Sequence, residues 1–270
     1  MPGAIRQPAV AGRFYPAEPE VLAAEVRSFF TDHQRPEQAI GCIVPHAGYV
    51  YSGRVAGEVF ASIEIPRRCI VLCPNHTGRG VPLSIMSHGA WRTPLGLVPI
   101  DSSLASALKL AFAALEEDSD AHRTEHAIEV ELPFLQMLQP ASSFVPIALG
   151  TQRFGILEPL GEAIAEVISA QPDKVLIIAS SDMNHYESDA ITRVKDRKAI
   201  DRILALDAHG LSDVIAQEDI SMCGAAAAIV TLTAAKRLGA TRAVLIKYAT
   251  SSDASGDYDR VVGYAGVVLS

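Results

Sequence analysis

Apolar and polar positions follow two rhythms along this chain. Short runs rich in β-branched residues, Ile40–Val44, Cys69–Cys73, Ser143–Ala148 and Val175–Ala179, are too brief for helices and predict buried strands. Between and around them, apolar residues recur three or four apart, which predicts helices over Glu20–Phe30, Arg54–Ile63, Glu125–Leu138, Phe154–Ala170 and Asp189–Leu206. A further helix runs to Leu115 from a cap at Asp101 or Ser102. The alanine-rich Gly224–Leu238 predicts a buried helix, and Ala243–Ala249 and Val261–Leu269 two closing strands. Val81–Ser87 and Leu95–Ile100, on either side of Trp91 and Pro94, are expected as extended segments forming a hairpin near the site. Residues 1–19 hold Pro2, Pro8, Pro16 and Pro19 and predict an extended arm. Strand and helix in alternation mean an α/β fold whose largely parallel sheet is covered on both faces. No repeat, low-complexity segment or linker divides the chain, so one domain over residues 1–270 is expected.

Three of the apolar runs end alike. Pro45 closes the first and delivers His46, CPNH places His76 just past the second, and SSDMNH places Asp182 and His185 just past the fourth. Carboxyl ends of parallel strands share one edge of an open sheet, and ligands bind there. Imidazole is the commonest metal ligand at neutral pH, so convergence of His46 and His76 points to a metal before a proton shuttle. Asp182 has a second reading as the cap of a following helix, shared with Ser180 and Ser181. The segment EHAIE, read as helix, stacks Glu125, His126 and Glu129 on one face, and the expectation for them is pocket lining or orientation of the metal's ligands. His122 lies four residues before His126, the spacing of a helical zinc pair. Cys223 precedes the alanine-rich helix, whose positive end is expected to lower its pKa and favour the metal-binding thiolate.

Composition narrows the field. At 49% hydrophobic and 20% charged residues, the chain can bury a substantial core, and its net charge of -8 with no basic run argues against a nucleic-acid binder. No apolar stretch reaches the length of a membrane helix and no signal core opens the sequence, so a cytoplasmic location is expected. Four cysteines are too few for a disulfide framework, and Cys42, Cys69 and Cys73 are expected as buried free thiols. There is no G-x-S-x-G elbow, and without phosphate-binding glycine loops no nucleotide cofactor is expected. A small molecule or peptide remains as the partner, with a homo-oligomer left open.

Taken together, RQPAVAGRFYP, PHAGYVYSG, CPNHTGRG, EHAIEVELPFL, SSDMNHY, MCGAAA and YATSSDASGDYDRVVGYAG resemble, in order and across nearly the whole chain, the Memo family. That family is similar in fold to the class III extradiol ring-cleaving dioxygenases, which implies a three-layer α/β/α domain with a metal at one edge of a mixed, largely parallel sheet. The resemblance implies a metal set of His46, His76 and Cys223 with Asp182 and His185 beside it as catalytic groups. It places cysteine where the dioxygenases use glutamate, and so departs from the ring-cleaving pattern. Eukaryotic relatives are linked to receptor-driven cell motility and to copper or iron redox behaviour; prokaryotic ones are usually of undefined activity. Two imidazoles and a soft thiolate suit iron or copper, with zinc third. The expected function is metal-dependent redox chemistry, an oxidoreductase of dioxygenase-like build. Its rival is a binding or scaffold protein that uses the pocket for a peptide or small ligand.

Overall fold

A computed structural model describes residues 4–30 and 36–270. The arm contributes β1 (Ile5–Arg6) and leads into α1 (Pro19–Phe29), opened by a proline where a missing N–H costs nothing. Then follow β2 (Gly41–Val44), α2 (Tyr49–Ser62), β3 (Arg68–Pro74), β4 (Leu83–Ile85), β5 (Ala90–Thr93), β6 (Gly96–Pro99), α3 (Ser102–Ala111) and β7 (Glu116–Glu117). The second half runs α4 (Leu132–Leu138), β8 (Ser143–Leu149), α5 (Phe154–Ser169), β9 (Val175–Ser180), β10 (His185–Glu187), α6 (Asp189–Leu204), α7 (Ala208–Gln217), α8 (Ala225–Arg237), β11 (Ala243–Thr250), α9 (Ser252–Ser255) and β12 (Val261–Leu269).

The main sheet has the order β10-β12-β2-β9-β3-β8-β4-β7, with β11 also on β12. Its centre, β2-β9-β3-β8, is parallel, while β12 and β4 join antiparallel. Side chains alternate across the pleat. Ile43, Ile70, Leu72, Val145, Ile147 and Ile177 pack toward α3, α5 and α8, whereas Cys42, Val44, Cys69, Val71, Cys73 and Ile178 pack toward α1, α2 and α4. Both faces are therefore apolar, and the result is a three-layer α/β/α fold with a mixed sheet. Cys42, Cys69 and Cys73 are buried free thiols on one face. Among the described residues no helix is long and apolar enough to cross a membrane.

Several expected elements differ. The helix over Glu125–Leu138 exists only from Leu132, after a single 3₁₀ turn at Glu129–Glu131. Pro133 lacks an amide hydrogen and would break an intrahelical bond in a helix that began at Glu125, whereas in the first turn of α4 the missing donor costs nothing. SSDMNH does not turn into a helix: it crosses the sheet edge, forms β10, and α6 begins at Asp189. The hairpin pairs β5 with β6, and β1 of the arm adds to β5, whereas Leu83–Ile85 enters the main sheet. Helix α2 starts at Tyr49, five residues before the apolar spacing predicts, and α3 ends at Ala111.

Candidate metal centre

Strands β2, β9 and β3 lie side by side and finish at one edge, which places His46, Ser180–Asp182 and His76 together. Cys223 arrives from the segment before α8, and only glycine at 224 allows the approach: a Cβ there would stand 2.4 Å from the Ser180 carbonyl oxygen. The ligand-capable atoms of His46, His76 and Cys223 all lie within 4.8 Å of one another, with His46 Nε2 and Cys223 Sγ 3.2 Å apart. Nitrogen and sulfur bonded to one cation at about 2.0–2.3 Å in tetrahedral geometry stand ~3.3–3.7 Å from each other, so this donor set closes on an ion with small movements. His46 is buried, Cys223 half-buried and His76 open to solvent, so the site deepens from mouth to floor.

Each imidazole is oriented through its outer nitrogen. Ser180 Oγ donates its single proton to the Ala127 carbonyl at 2.6 Å, so at 2.8 Å from His46 Nδ1 it accepts, and His46 Nε2 is left bare. His76 Nδ1 donates to Glu125 Oε1 at 2.9 Å, which in the neutral ring leaves Nε2 without a proton. Outer partners of this kind fix tautomer and ring direction in metal-binding histidines. Glu125 is fully buried and accepts the His76, His126 and Ala127 backbone N–H groups besides. Burial alone would raise its carboxyl, but His76 and His126 outweigh that and hold it down at about 2. Burial, then the neighbouring His76, lowers the His46 pKa to about 3; burial, then His46, lowers that of His126 to about 4. For His76, burial is overcome by the Glu125 hydrogen bond and charge, and its pKa rises.

Cys223 behaves otherwise than its place at a helix start suggests. Burial, and then the Asp182 carboxylate, pushes its thiol well above the usual range, because desolvation outweighs the helix dipole. A bound cation would supply the compensating charge.

Asp182 caps no helix; its Oδ1 accepts the His46 backbone N–H at 2.8 Å. His185 turns to the chain before α8, its Nδ1 donating to the Ser221 carbonyl at 2.9 Å. His126 lines the cleft, its ring centroid 4.8 Å from that of His76 and 5.4 Å from that of His46. Glu129 is not on their face, because EHAIE is not helical. Its carboxylate is enclosed by the arm, accepting from Arg6 Nη1, Ala9 N, Val10 N and the Tyr15 hydroxyl. Among the described residues His122 joins no metal-capable group; its ring is buried edge-on to Trp91.

Two contributors escape sequence reasoning. Ser180 reads there only as a helix cap, yet it sets the His46 tautomer. Glu131 lies behind Ser180, fully buried, Oε1 3.2 Å from Ser180 Oγ, and burial pushes its carboxyl well above the usual range. A glutamate directly before the apolar LPFL was the available signal. Phe14 from the arm closes the wall, its ring 4.7 Å from that of His126. A separate apolar cavity of about 410 Å³, between Ile40, Ile65, Pro66 and Val175, lies at the sheet's opposite edge, where no metal-capable group collects among the described residues.

The chain matches the family model described as Memo-like protein over residues 6–268. A MEMO1 family protein of Methanopyrus kandleri is 42% identical over 278 residues, covering 98% of both chains. One from Methanosarcina barkeri is 42% identical over 267 residues, covering 98% of this chain and 100% of its own. The crystal structure of an uncharacterized protein from Escherichia coli K12 superposes with a TM-score of 0.56 over 86% of this chain and 100% of that one; at 12% identity the likeness concerns fold alone.

Proposed function

From the premise that this chain belongs to the Memo-like family, we propose that its carboxyl-edge pocket holds one transition metal ion on His46, His76 and Cys223 and uses it in redox chemistry on a small molecule. The observation that carries the reading is the closeness of one donor atom each from His46, His76 and Cys223, His46 Nε2 lying against the thiol, with both Nδ1 atoms already engaged by the protein. Two imidazoles and one thiolate favour iron or copper, then zinc, over hard cations. When bound, a redox-active ion supplies electron transfer and Lewis acidity. The chain's own groups do the rest. Glu125 and Ser180 hold the imidazoles, Asp182 pins the His46 loop, and Asp182 and His185 hold and pass a proton beside the pocket. His126 and Phe14 shape the wall a substrate meets. These roles make the protein an oxidoreductase working at a non-haem centre.

A binding role without turnover is the second reading. It is favoured by Tyr186, two-thirds exposed beside His185 at a left-handed φ of 64°, with Arg260 5.6 Å over its ring. Strain of this sort gathers at ligand clamps as well as active sites.

Metal content decides between them. Protein purified under anaerobic and aerobic conditions without added metal should carry close to one iron or copper per chain, and Cys223→Ser should lose it. Its cobalt(II) affinity should fall by more than ~100-fold, beyond the 10–100-fold typical of losing an outer partner. Metal-free wild type that takes up no cobalt(II) would leave the binding role standing.

A further inference from the structure

Asn184 belongs to neither the ligand set nor the pocket wall, yet it is fully buried and every polar atom it has is engaged. Its Nδ2 donates to Glu187 Oε2 at 2.7 Å, an acceptor held in place by Lys195 at 2.7 Å, and this fixes which way the carboxamide points. Oδ1 therefore faces Ser221, whose backbone N–H and hydroxyl both donate to it at 3.1 Å. Below, the Asn184 backbone N–H donates to Asp196 Oδ1 at 2.8 Å and its carbonyl accepts from Gly263 N–H at 2.9 Å.

Ser221 in turn holds His185 twice. The His185 backbone N–H donates to Ser221 Oγ at 2.8 Å, and ring Nδ1 donates to the Ser221 carbonyl at 2.9 Å. A carbonyl only accepts, so Nδ1 carries the proton and Nε2 is the free nitrogen. Two residues after Ser221 comes Cys223, in a stretch with no regular structure of its own. Its other anchor is Gly224 N–H on Ser181 Oγ at 3.1 Å. Both anchors of the cysteine segment thus stand on residues 181–185, the segment that also carries Asp182 and His185.

We propose that Asn184 is a positioning residue that joins His185 and Cys223 into one unit, its carboxamide setting Ser221, and Ser221 setting the imidazole on one side and the thiol on the other. The inference deepens the metal reading, since the two groups it couples are the soft ligand and the proton carrier of that site. It has a consequence neither group has alone: a change at Asn184 alters thiol placement and imidazole tautomer together, although Asn184 touches neither sulfur nor ring.

The test uses Asn184→Ala, Ser221→Ala and the double variant of the full chain. Three quantities are read: the His185 tautomer by nitrogen NMR of the metal-free protein, the alkylation rate of Cys223, and cobalt(II) affinity. Cys42, Cys69 and Cys73 are fully buried and do not contribute to the second. Asn184→Ala should abolish the single Nδ1–H tautomer, speed alkylation several-fold and weaken cobalt(II) binding about 10–100-fold, the range for lost outer partners. Ser221→Ala should move all three the same way by less, and the double variant should be no worse than Asn184→Ala, because both act through one path. Additive effects, or a change in one group without the other, would overturn the proposal. Should Asn184→Ala not fold, Ser221→Ala at its exposed position still reads both groups. If wild type binds no cobalt(II), the metal reading fails while tautomer and alkylation still judge the coupling.

Discussion

Replacing Glu129 by glutamine tests how the arm is fastened. The carboxylate takes four donors, Arg6 Nη1 and the Tyr15 hydroxyl at 2.6 Å, Ala9 N–H at 2.8 Å and Val10 N–H at 3.0 Å, with no exposed surface. A glutamine keeps the shape but turns one oxygen into a donor, so two of the four donors lose their acceptor and the Arg6 guanidinium loses its counter-charge. Hydrogen bonds to charged groups contribute about 1.5–3 kcal/mol each. Breaking a buried pair by removing one partner costs about 3–5 kcal/mol, and since the two counts overlap the expected loss is about 3–5 kcal/mol in total. For a chain of this size that lowers the melting temperature by roughly 10 °C. Arg6 also donates to the carbonyls of His122 at 2.6 Å and Glu125 at 2.7 Å, so the loss should spread to the loop beneath Phe14 and His126. Urea unfolding gives the magnitude, and amide exchange should show Ala9 and Val10 losing protection. Cobalt(II) uptake should stay as in wild type. A loss under ~1 kcal/mol, the range of exposed pairs, would refute the clamp. So would weakened metal binding at unchanged stability, which would return Glu129 to the pocket.

Glu125→Gln should weaken cobalt(II) binding about 10–100-fold through a loosened His76, readable by competition titration, while removal of the His126 side chain should not. Asp196, buried under Asn184 N–H and the Tyr248 hydroxyl, has its pKa raised by burial from 3.8 to about 6. The folded state thus holds the proton more tightly than the unfolded one, so stability falls as pH rises from about 4 to about 6, by up to ~3 kcal/mol. Asp196→Asn should lack that slope in urea titrations between pH 4.5 and 7.5, set on the ~1.4 kcal/mol per pKa unit scale; an identical slope would exclude Asp196 as its source. Gly224→Ala forces a Cβ to within 2.4 Å of the Ser180 carbonyl oxygen and Ser181 Cβ, so α8 must shift. Overpacking of this kind costs about 1–3 kcal/mol, and the cobalt–thiolate absorption should weaken with it.

What the sequence alone determined about this protein was local. A β-branched run ended by proline or a polar cluster is legible because strand length, proline chemistry and side-chain alternation all act within a few residues, and it located the ends that carry His46, His76 and Asp182. The two closing strands and the cysteines in the sheet were legible for the same reason, whereas the antiparallel pairing of those strands was not. What only the tertiary structure decided were directions and environments. Glu129 and Glu125 look alike in EHAIE, yet one faces the arm and the other His76, because Pro133 stops the helix that would have aligned them. The Cys223 thiol lies at a helix start, but the Asp182 carboxylate that helps raise its pKa comes from the loop after β9, 41 residues earlier. Burial depth and opposite partners are set by parts of the chain remote in sequence. A pKa or a tautomer, being the sum of such neighbours, exists only once the chain is folded.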